Sequence, residues 1–156
     1  MKKLQKGRSM IEMLGVLAII GVLSIGGLAG YTMAMNRHRA NQILDYVSRC
    51  AVAAQTKGDG YVIEETSCGA LLPLETGPNG LAQASFKVWS STAASARFII
   101  STPTIASQDV RTALLNRANT NVIIKEGDCA ANGAMPAANT DTAGANTAKI
   151  SFSFQK

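Results

Sequence analysis

The sequence predicts an α+β protein in which one long N-terminal helix packs against a small antiparallel sheet. Three patterns carry that expectation. No charged residue occurs between Met13 and Met35, a run long enough for a membrane-crossing helix. Apolar residues then recur at three- and four-residue spacing from Ala40 to Ala54. Beyond Gly80, short segments rich in β-branched and aromatic residues alternate with polar ones, as strands do.

The apolar run comes first. Its polar side-chain groups are confined to Ser24, Tyr31 and Thr32. As a helix it extends roughly 34 Å at about 1.5 Å per residue, enough to cross a hydrocarbon core. Lys2, Lys3, Lys6 and Arg8 precede it, an arrangement that keeps an N-terminus on the cytoplasmic side. A secretory signal peptide shares this outline. Here, however, the run is about twice the usual apolar length and no small-residue cleavage site follows it. Glu12 stands at its entrance, where a carboxylate is costly unless another group offsets its charge.

Composition narrows the function classes. The formal charge of +5 over 156 residues does not by itself imply nucleic acid, because much of it lies in the leader. Removing Lys2, Lys3 and Lys6 with the first seven residues leaves twelve basic residues against ten acidic, a net +2. With only eight aromatic residues, not interleaved with basic ones, no nucleic-acid partner is expected. No catalytic residue is assigned. The single histidine, His38, between Arg37 and Arg39, reads as a solvated residue beside the membrane. Glu64 and Glu65 are neighbours in sequence alone, since adjacent strand residues point to opposite faces. No ligand spacing suggests a metal and no glycine-rich phosphate loop is present, so no cofactor is expected.

The run from Gly7 through Arg8, Ser9, Met10, Ile11, Glu12, Met13 and Leu14, followed by Gly15 to Leu23, resembles the N-terminus of type IV prepilins and type II secretion pseudopilins. In that family a prepilin peptidase cuts after a glycine, and a glutamate occupies the fifth mature position. Gly7 and Glu12 match both. The resemblance implies cleavage between Gly7 and Arg8, leaving a new amine four residues before Glu12. It further implies that Glu12 meets the N-terminal amine of a neighbouring subunit inside an apolar assembly. Arg8 departs from the phenylalanine or methionine usual at that position. The similarity covers about the first fifth of the chain.

This divides the chain into a leader (1–7), an apolar transmembrane and assembly helix (8–35), an amphipathic half (36–57) and a pilin-like head with a variable loop (58–156). The expected partners are other copies of the chain and other pilins, the peptidase, an inner-membrane assembly platform, and lipid before assembly. The expected location is the bacterial inner membrane in a single pass, then an extracellular or periplasmic fibre. A pseudopilin and a monomeric membrane-anchored binding domain are the alternatives.

Within the run, Gly21, Gly26, Gly27 and Gly30 permit close helix packing, Gly26 and Gly30 having the GxxxG spacing. They also weaken the helix by about 1 kcal/mol each relative to alanine, which allows local unwinding in a fibre. Past the membrane, Ala40, Ile43, Leu44, Val47, Ala51 and Ala54 form the stripe, and Asp45 and Arg49 form an i,i+4 pair. Gly58, Asp59 and Gly60 stop the helix, which is expected from about Ser9 to Thr56.

Strands are expected at Phe86 to Ser90, Ala96 to Ser101, Asn121 to Lys125 and Ile150 to Phe154, the last closing the sheet. Ser107 is expected to cap a short helix with Val110, Ala113, Leu114 and Leu115 as its apolar positions. Residues 130–148, rich in alanine, asparagine, threonine and glycine, read as a loop.

Three cysteines, Cys50, Cys68 and Cys129, allow one disulfide in an exported protein. Family resemblance favours Cys68 with Cys129, a bond that would tether the C-terminal region. Cys50 with Cys68 is the competing pair, and Cys50 otherwise reads as a buried thiol on the margin of the stripe.

Overall fold

The computed structural model describes residues 10–56, 65–73, 76–90, 96–119, 121–130, 134–136 and 149–155. Contacts divide the chain into two compact units, 1–35 and 36–156. Gly7, Arg8, the stop signal at 58–60 and most of 130–148 lie outside the described residues.

Helix α1 runs Met10–Gln55, within a residue of the expected bounds. In the second unit its buried residues are Ala40, Ile43, Tyr46, Val47, Cys50, Ala51 and Ala54. They recur at the three- and four-residue spacing that keeps one helix face inward. Leu44 is half-buried at the edge of that face. Tyr46, absent from the expected stripe, packs edge-on against Phe86 with ring centroids 5.0 Å apart.

Five antiparallel strands form the sheet: β1 (Thr66–Ser67), β2 (Lys87–Ser90), β3 (Ala96–Ser101), β4 (Val122–Glu126) and β5 (Ile150–Gln155), in the order β1-β2-β3-β5-β4. Val88, Ile100, Phe152 and Ile124 stand in register across four of them. They belong to the same buried cluster as the inward face of α1. The C-terminal strand therefore enters between β3 and β4 rather than finishing the sheet at an edge. Ile150, Ser151, Phe152 and Ser153 are all buried. The apolar residues face the helix side, while Ser151 and Ser153 lie on a second face that is also covered.

Among the described residues of the second unit are two short helices. Helix α2 (Cys68–Leu71) begins at Ser67, whose side chain accepts from the Ala70 amide. Helix α3 (Gln108–Leu115) has the expected cap, Ser107 Oγ accepting from the Val110 amide. Val110 and Leu114 are its buried positions. The 3₁₀ turns Pro78–Gly80 and Gln83–Ser85 lie between α2 and β2 in the sequence.

Candidate functional site

The first unit carries the most distinctive surface. Among the described residues, one helix, α1, is long and apolar enough to be a candidate membrane span, and none of its most apolar window is buried. Met10, Ile11, Leu14, Leu17, Val22, Leu23 and Ile25 are all exposed, Ile11 to 76%. An exposed apolar surface of this extent is characteristic of membrane or protein interaction sites.

Two of the three polar side chains in the candidate span bond to their own helix. Ser24 Oγ donates to the Ile20 carbonyl at 2.7 Å, and Thr32 Oγ1 donates to the Ala29 carbonyl at 2.9 Å. Back-bonding of this kind removes the cost of placing a free hydroxyl donor in hydrocarbon.

Glu12 lies exposed in the first turn of α1. Amides without intrahelical partners gather there, and the helix dipole favours a negative charge. Gly21, Gly26, Gly27 and Gly30 all lie within α1, which is helical through every one of them. A methyl group built on any of the four meets no atom within 4 Å apart from its own turns of helix backbone. Their backbone is therefore open to close approach by another helix.

In the second unit, polar contacts fix the start of the amphipathic half. Asn36 Nδ2 donates to Asp109 Oδ2 at 3.1 Å, tying α1 to α3. Asn79 Nδ2 donates to the Arg39 carbonyl at 3.0 Å from the turn Pro78–Gly80. His38 is exposed, its Nε2 3.1 Å from the Gln42 amide nitrogen. The expected Asp45–Arg49 pair forms at 2.7 Å on the solvent side.

A second polar group gathers at one end of the sheet. Lys149 Nζ lies 2.5 Å from Asp128 Oδ2, and Ser101 Oγ donates to Asp128 Oδ1 at 2.8 Å. Lys87 pairs with Glu65, and this hydrogen bond, then the charge of Glu65, raises the Lys87 pKa. Burial works to raise the Asp128 pKa. The Lys149 and Ser101 hydrogen bonds, the Lys149 charge and the Cys129 backbone outweigh it and hold the carboxyl below its usual range.

The disulfide corrects the favoured expectation. It joins Cys50 to Cys68, with Cα atoms 5.6 Å apart, and Cys129 is a free thiol. Cys50 and Cys68 both lie in the buried cluster on the helix side of the sheet. Cys129 donates instead to Ser151 Oγ at 3.1 Å, on the opposite face. A Cys68–Cys129 bond would have to pass through the sheet. Burial raises the Cys129 pKa to about 11.

Of the expected site residues, Glu12 and the four glycines share one helix, while Gly7 and Arg8 fall outside the described residues. Sequence reasoning missed Asn36, Asn79 and Asp109. No local spacing in the sequence signals the reach of Asn79 to the Arg39 carbonyl. Among the described residues no cluster of three or more His, Cys, Asp and Glu is placed to hold a metal.

The chain has no match among protein-family models, curated proteins or solved structures.

Proposed function

We propose that the chain is a structural subunit of a type IV pilus-like fibre, and not an enzyme. The observation that carries this reading is Glu12, exposed in the first turn of an apolar and wholly exposed helical segment. A lone anchor gains nothing from a carboxylate at its membrane entrance. In a bundle of such helices, the carboxylate of one subunit is neutralised by the N-terminal amine of its neighbour.

In this reading the chain inserts in the bacterial inner membrane with its N-terminus cytoplasmic. A prepilin peptidase removes residues 1–7, and an assembly platform passes the mature chain into a polymer with itself and other pilins. The apolar surface then exchanges lipid for neighbouring helices. The disulfide-stapled sheet domain is carried as the fibre's outer layer.

The test is Glu12→Ala in cells producing the chain, with filaments imaged by a label on this subunit and the mature N-terminus read by mass spectrometry. Loss of filaments with processing intact is expected. Undiminished assembly of the variant would sink the polymer reading and favour a membrane-tethered monomer.

A further inference from the structure

We propose that Arg37 and Arg39 bind anionic phospholipid headgroups at the end of the span remote from Glu12, holding the subunit in place before assembly. The proposal rests on the reading of α1 as a membrane span.

The span has a marked end. Tyr31 is its one aromatic residue and is 62% exposed. A tyrosine is favoured where hydrocarbon meets headgroups, because its ring is apolar and its hydroxyl polar. From Met13 to Tyr31 the helix rises about 27 Å, close to a hydrocarbon thickness of about 30 Å. Arg37 and Arg39 follow Tyr31 by six and eight residues in the sequence. Side chains on a helix lean toward its N-terminus. Both arginines therefore lean back along α1, and their aliphatic stems allow the guanidinium groups to settle at headgroup depth.

Both side chains are available. Arg37 and Arg39 are exposed, and among the described residues neither guanidinium makes an ion pair. By contrast, Arg49 and Arg111 are engaged by Asp45 and Glu126. Asp109 accepts from Asn36, the residue just before Arg37. The turn is nonetheless fixed, since Asn79 grips the Arg39 carbonyl. Ala40 is buried against the core, so the helical rotation places Arg37 and Arg39 on either side of the buried face. Each guanidinium so placed meets a phosphate diester of its own headgroup, which accepts forked hydrogen bonds as well as charge.

The test uses the full chain reconstituted in phosphatidylcholine vesicles, with spin-labelled phosphatidylglycerol or phosphatidylcholine reporting which lipid lines the protein. The wild-type chain is expected to select phosphatidylglycerol. Arg37→Gln with Arg39→Gln should lower that selectivity by at least about fivefold, the scale of one basic residue near an anionic surface. Arg37→Lys with Arg39→Lys should retain most of it, and Arg117→Gln, an exposed arginine elsewhere, should leave it unchanged. Replacing Lys2, Lys3 and Lys6 by glutamine removes the leader's contribution at the other membrane face. Selectivity unchanged in the double glutamine variant would overturn the headgroup site while leaving the span intact. A wild-type chain that does not float with vesicles would overturn the span itself, and the site with it.

Discussion

Arg111 Nε donates to Glu126 Oε1 at 2.8 Å, joining α3 to the edge strand β4, with both side chains largely buried at 17% and 11% exposure. The same guanidinium donates through Nη1 to the Ile105 carbonyl at 2.7 Å. One side chain thus holds the approach to α3, the helix itself and the sheet edge. Removing one partner of a mostly buried pair leaves the other charge without compensation. Arg111→Ala should therefore cost about 3 kcal/mol of stability, and Glu126→Gln less, since an amide oxygen still accepts. Denaturant unfolding of the detergent-solubilised chain measures both. Equal stability of Arg111→Ala and wild type would remove the clamp from this account.

The cysteines make a separable prediction. Reducing Cys50–Cys68, whose 18-residue separation limits the loop it closes, should cost about 3 kcal/mol in the chain-entropy description. Cys129→Ser should leave the disulfide in place. Thiolate is the reactive form, and a pKa of about 11 makes it scarce at neutral pH. Iodoacetamide should therefore modify Cys129 on the order of 100-fold more slowly in the native chain than in denaturant. Mass spectrometry over a time course gives both rates. Modification as fast in the native chain would mean that Ser151 and its surroundings do not shelter the thiol.

Helix, strands and cap were legible because each is a local pattern. The stripe from Ala40 to Ala54, the alternation from Ile150 to Phe154, and Ser107 before Val110 all carry their signal within a few residues. The strand order was not legible. Placing β5 between β3 and β4 depends on pairs such as Ile100 with Phe152, which are distant in sequence. The disulfide failed for the same reason. No local signal separates the surroundings of Cys68 and Cys129, because it is the sheet between them that does so. Glu12 was legible because a charge beside an apolar run is conspicuous, whereas Asn36 and Asn79 act through partners that no local spacing announces.

Acid should test the Asp128 cluster. Its folded pKa lies below the ordinary aspartate value of 3.8, so its stabilising contribution is fully present above the unfolded pKa. It is lost as pH falls through the folded pKa. The melting temperature should hold above about pH 5 and decline below about pH 4. Asp128→Asn should flatten part of that decline and make Lys149→Gln nearly silent in the double variant, because the two share one interaction. Thermal melts of the four proteins across this window decide it. An acid limb identical in wild type and Asp128→Asn would assign the decline to other carboxylates.

The turn that grips α1 depends on a glycine for space rather than for backbone freedom. Gly77 has an ordinary extended conformation, φ −64° and ψ 145°, yet a methyl group there would lie 1.9 Å from the Leu81 carbonyl oxygen. Gly77→Ala must open the turn, and with it Asn79, whose φ of 54° is one that asparagine adopts more readily than most residues. Asn79→Gly should keep the backbone and lose the hydrogen bond to Arg39, at a cost of about 1 kcal/mol. Gly77→Ala should cost more, because the clash displaces backbone rather than one side-chain contact. Gly21→Ala should act in the opposite direction, since its site is open and alanine favours helix by about 1 kcal/mol. Hydrogen exchange at the Arg39 to Ile43 amides, beside unfolding measurements, separates the cases. Gly77→Ala should speed exchange there and Gly21→Ala should not. If Gly77→Ala were neutral in both measurements, the 78–80 turn would not be a clamp on the helix.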